Sequence, residues 1–112
     1  MTTQMTILVA FLAVIFVVSG LSKVSGNAKG LSGTRDVNVP DFLARIVGAL
    51  ETVGALGLIL SLKWNWMATF PLISLWFIMA GAIFFHFRAD KARTAFPAFF
   101  LLTLISIALV LN

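Results

Sequence analysis

Glu51 is the residue whose position most demands chemistry. It is the one acidic side chain inside an apolar run, near the middle of residues 42–62. If that run is a helix crossing a membrane, the carboxyl lies roughly 14 Å down it at 1.5 Å per residue. An ionised group inserted there costs at least ~2.5 kcal/mol. It must be protonated, paired or hydrated by a cavity. Arg45 shares the run, but six residues turn about 240° around a helix and point the two side chains apart. The partner is therefore expected from another segment. Lys23 and His86 close two other apolar runs on the same side, and a lysine stem can reach inward. The expectation is a polar pocket built by Lys23, Arg45, Glu51 and His86, with Glu51 handling a proton. The competing reading is an ion-pair network that only fixes helix register, with the basic residues reaching lipid phosphate.

Other chemistry is narrowed by what the chain contains. Without cysteine it has no disulfide, thiolate metal site or redox thiol of its own. A single histidine cannot supply two imidazoles to one haem, and a Glu/His pair would leave a metal mostly open, so no metal site is expected. The glycines between Gly20 and Gly33 do not match a Walker or dinucleotide fingerprint. Phe84, Phe85, Phe87, Phe96, Phe99 and Phe100 could line a site for a flat isoprenoid head group such as a quinone, although lipid-facing aromatics are commoner.

The elements that must position these residues follow from composition. Of 112 residues, 61% are hydrophobic and 11% charged, whereas soluble domains are about a quarter charged. Lipid is therefore the main solvent. The fold class expected is all-α, an integral membrane four-helix bundle with spans at about residues 2–22, 42–62, 64–87 and 94–112. Residues 1–112 then form a single domain. The first run lacks a basic start and a convincing cleavage site, so it reads as a span rather than a signal peptide.

Residues 24–41 read as a long, flexible connection containing Gly26, Gly30 and Gly33. Its end resembles a helix start, with Asn38 as cap, Pro40 in the first turn and Asp41 at the positive dipole end. Gly48, Gly54 and Gly57 suit close helix packing. Lys63 marks a short turn, with Trp64 and Trp66 at an aromatic belt. Pro71 is expected in the second turn of the third span, where a kink is tolerable.

Basic residues lie between the runs, so the +4 net charge does not imply nucleic acid. Lys23, Lys29, Arg35, Arg45, Arg88, Lys91 and Arg93 fall on one side and Lys63 alone on the other. Both termini are thus expected outside.

The segment Phe16-Val-Val-Ser-Gly-Leu-Ser-Lys23, then Pro40, then Gly48-Ala-Leu-Glu51 with Gly54, then Met79-Ala-Gly-Ala and His86 resembles the DoxX and DoxX-like membrane proteins over most of the chain. The resemblance points to Ser19, Gly20, Lys23, Pro40, Glu51 and His86. It implies a four-helix protein of the bacterial inner membrane associated with redox chemistry. Relatives of this kind include subunits linked to thiosulfate:quinone oxidoreduction and quinol oxidase complexes. Others are reported to scaffold a superoxide dismutase and a sulfurtransferase. With no cysteine here, any thiol step would belong to a partner, and a non-catalytic subunit or scaffold is expected rather than an enzyme acting alone.

A quinone or lipid head group in the pocket is the ligand expectation, and self-association is compatible with the packing glycines. The alternative is a proton-coupled exporter of lipophilic compounds, similar to the small multidrug transporters. Those carry their glutamate in span 1, where this chain has no ionisable residue before Lys23. A purely structural subunit is the third reading.

Overall fold

The helices begin and end where local chemistry directs. The computed structural model describes residues 1–112. Thr2 starts α1 (Thr3–Val24) by accepting a hydrogen bond from the Met5 amide at 3.1 Å, satisfying one orphan donor of the first turn. After α2 (Ala28–Asp36) come α3 (Asp41–Ser61), a 3₁₀ turn (Asn65–Ala68), α4 (Thr69–Arg88), a second 3₁₀ turn (Ala92–Ala95) and α5 (Phe96–Leu111). There are no strands. Counting their 3₁₀ turns with α4 and α5, four helical segments are long and apolar enough to cross a membrane.

The four long helices close a ring in which α1 packs on α3, α3 on α4, α4 on α5 and α5 back on α1. Successive long helices run in opposite directions. Phe16 and Leu12 of α1, Leu58 of α3, Leu72 and Leu75 of α4 and Ile105 of α5 fill the centre. Val14, Val53, Phe70, Phe77 and Val110 are exposed on the outside, the arrangement expected of a bundle whose outer solvent is lipid.

α1 approaches α3 closely, and the contact depends on glycine. A Cβ on Gly48 would lie 2.8 Å from the Gly20 carbonyl oxygen and 2.6 Å from the Lys23 Cβ. A Cβ on Gly20 would meet the Gly48 carbonyl oxygen at 2.6 Å. Two backbones touch here, as small residues permit between membrane helices.

Residues 24–41 differ from the flexible connection expected. They contain the nine-residue α2, whose start is capped by Asn27 accepting from the Lys29 amide at 2.8 Å. A helix this short is marginal alone. Tertiary packing holds it: Leu31, Val37 and Val39 are buried with Ala44, against Leu43, Phe85 and Ala89. An Asp36–Lys91 ion pair at 2.8 Å ties it to the turn before α5.

Asn38 also has a different role from the one expected. Pro40, not Asn38, occupies the cap position of α3. Asn38 has φ +63°; its amide donates to the Arg35 carbonyl at 3.1 Å, and the Val39 amide to the Thr34 carbonyl at 2.9 Å. That is a Schellman closure of α2 with asparagine in the left-handed position. Asp90, with φ +58°, closes α4 in the same way. Pro71 lies in the second turn of the third span counted from Asn65, as expected, which is the first turn of α4, where its missing N–H has no intrahelical partner to lose.

Candidate ligand-binding site

Antiparallel packing of α1 on α3 brings the last turns of α1 to the middle of α3. Ser19 and Lys23 are four residues apart and share one face of α1. The glycine contact just described lets that face reach Glu51. Lys23 Nζ lies 2.8 Å from Glu51 Oε1 and also donates to Ser19 Oγ. The Ser19 hydroxyl, at 3.2 Å from Oε2 and 3.4 Å from Oε1, donates in turn to the carboxylate. Glu51 is 1% exposed, and the Lys23 side chain 18%.

Charge explains why these three assemble. A carboxylate this deep requires a cation and donors, and Lys23 supplies the charge while Ser19 relays a second hydrogen bond. The set is incomplete in a useful way. Oε2 receives only the long, shared bond from Ser19, leaving acceptor capacity, and one of the three Lys23 N–H donors is unspent.

Both groups line a cavity of about 540 Å³ between α2, α3 and α4 at the basic end of the bundle. Its walls include Leu43, Val47, Met79 and Phe85, and α2 contributes Lys29, Ser32 and Thr34. His86 stands on the α4 wall. His86 Nδ1 is hydrogen-bonded to the Thr94 hydroxyl, which also lies 2.7 Å from the Lys91 carbonyl. Nε2 of the ring has no hydrogen-bond partner in the chain. No group of three or more His, Cys, Asp or Glu side chains forms that could hold a metal ion.

The residues singled out in the sequence thus separate. Ser19, Lys23 and Glu51 are joined, and His86 shares their cavity. Gly20 is the packing contact behind them. Pro40 precedes α3.

Arg45 does not join the pocket, contrary to the sequence expectation. It is exposed, and its Nε donates to the Val24 carbonyl at 3.1 Å, satisfying an orphan acceptor at the end of α1. The face on which it lies, two-thirds of a turn from Glu51, already excluded that contact.

Sequence reasoning missed the α2 wall and the Thr94 partner of His86. The Asn27 cap was the one local signal for α2. Between α2 and the start of α3, Arg35 donates to Asp41 at 3.0 and 2.8 Å. This hydrogen bonding raises the pKa of the guanidinium above its ordinary value.

The model of the DoxX-like family matches residues 7–108, nearly the whole chain. No curated protein and no solved structure matches it.

Proposed function

We propose that this chain, which belongs to the DoxX-like family, is a membrane-embedded binding subunit of a redox system. Its cavity would receive the polar head of a lipophilic carrier of the quinone class. The observation that supports this most is a carboxylate 1% exposed at mid-span, ion-paired on the wall of an otherwise largely apolar cavity. A cavity of a few hundred cubic ångströms with apolar walls and a few convergent polar groups is the usual form of a small-molecule site. Intramembrane carboxylates are functional by default.

The donor set fits such a head. The spare Lys23 N–H can donate to one carbonyl oxygen, and Glu51 Oε2 can accept from a hydroxyl. His86 Nε2 offers a second acceptor or a donor, according to the ring tautomer. A quinone taking up two electrons also takes up two protons. Glu51 and His86 are the groups positioned to pass them, while the electrons come from a partner enzyme. A superoxide dismutase, a sulfurtransferase or a quinone oxidoreductase are the partners family resemblance suggests. The basic end of the bundle would face the cytoplasm of a bacterial inner membrane, with both termini outside.

Purification in mild detergent, with mass spectrometry of co-eluting lipophiles and proteins, tests this. Wild type should retain a quinone and Glu51→Gln should lose it while inserting normally. Equal retention in both variants removes Glu51 from head-group binding, and unchanged activity of Glu51→Gln removes the proton role. Proton-driven uptake of a lipophilic cation into vesicles would replace this reading with the exporter.

A further inference from the structure

A second cavity, of about 660 Å³, lies on the same seam between α3 and α4, nearer the end that carries both termini. Leu50, Val53 and Gly57 form its α3 side, and Phe70 and Ile73 its α4 side. It is almost wholly apolar and holds no charged residue. Ile78 lines both cavities. The seam therefore carries two cavities, one with Lys23 and Glu51 on its wall and one without charge, and Ile78 stands between them.

We infer that the apolar channel holds the tail of the carrier, and that the carrier enters from the bilayer between α3 and α4. This rests on the binding function proposed above. Three observations support it. The channel adjoins the head-group cavity on the same seam, with Ile78 lining both, rather than lying elsewhere on the surface. Its outer wall faces lipid: Val53 is 66% exposed and Phe70 81%. Its length also suits a tail, since Phe70 to Ile78 spans roughly 12 Å along α4 at 1.5 Å per residue.

The basic end offers a poorer entrance, because α2 covers it and is held there by the buried Leu31 cluster and the Asp36–Lys91 pair. Lipid is as apolar as the channel, so seating the tail there gains little affinity. Its effect is to orient the molecule, head towards Glu51 and tail towards Phe70.

Photolabelling in lipid nanodiscs separates the two ideas. One probe is a benzoquinone with a decyl tail ending in a diazirine, and the other carries the diazirine beside the head. The head label should modify Val47, Met79 or Phe85, and the tail label Val53, Phe70 or Ile73. Val53→Trp, which fills the channel from a lipid-exposed position, should cut tail labelling at least fivefold and spare head labelling by a tailless benzoquinone probe. Val18→Trp, on an exposed α1 face away from either cavity, should change neither. Head labelling in place with tail labels scattered over α1 and α5 overturns the channel and leaves the binding site standing. Head labels outside the cavity overturn the site itself, and the channel with it.

Discussion

Replacing Lys23 by methionine removes the cation 2.8 Å from a carboxylate that has 1% of its surface exposed. Methionine keeps most of the stem's volume, so the change is mainly electrostatic. Removing one partner of a fully buried pair costs about 3–5 kcal/mol. Lys23 is 18% exposed through the cavity, so some hydration reaches the pair, and about 2–3 kcal/mol is the expected loss.

Glu51→Gln alone should cost less, about 1 kcal/mol, because the amide still hydrogen-bonds Ser19 and the freed lysine can extend towards the head groups. The double variant, with no unpaired charge left inside, should be more stable than Lys23→Met alone. Reversible unfolding in detergent micelles titrated with dodecyl sulfate, followed by tryptophan fluorescence, measures all four corners of the cycle. Additivity within about 0.5 kcal/mol would mean that the two charges do not feel each other, and the pair as the organiser of the site would have to be abandoned.

The remaining expectations concern packing and backbone. Gly48→Ala should destabilise the bundle by about 1–3 kcal/mol, because its Cβ meets the Gly20 carbonyl and the Val24 amide of α1. Gly81→Ala, with nothing within 4 Å, should be neutral or stabilise by up to ~1 kcal/mol; the same titration reads both. Asn38→Val should cost about 1–2 kcal/mol and Asn38→Gly almost nothing, since the position has φ +63°. Equal effects in those two variants would remove the left-handed closure from the account of α2. Arg45→Met should lower stability by no more than about 1 kcal/mol and leave quinone retention unchanged, because its partner is the Val24 carbonyl and not Glu51.

How much was legible in the sequence can be judged residue by residue. Glu51 announced itself, since a lone acid in hydrocarbon must be accommodated by something. Lys23 was a reasonable partner because its run ends on the same side and its stem is long. Arg45 was drawn into the pocket by proximity in the chain and side of the membrane, although its helical phase argued against it. Asn38 carries the same side chain whether it starts one helix or ends another; only the φ angle distinguishes the roles. Residues 24–41 looked flexible because three glycines and mixed charge hide a helix whose stability comes from neighbours distant in sequence.

Four apolar runs separated by polar breaks determine the number of spans and their alternation, because hydrocarbon admits no unpaired backbone and a run of about twenty residues is what crosses it. Hydropathy carries no such information about which helix faces meet, since inside and outside are equally apolar and no polar face marks the lipid side. That choice was made by shape, where Gly20 and Gly48 let two backbones touch, and by the requirement that a buried carboxylate find its lysine. The cavity and the seam beside it exist only in the assembled bundle, as the space left where α3 and α4 do not close upon each other.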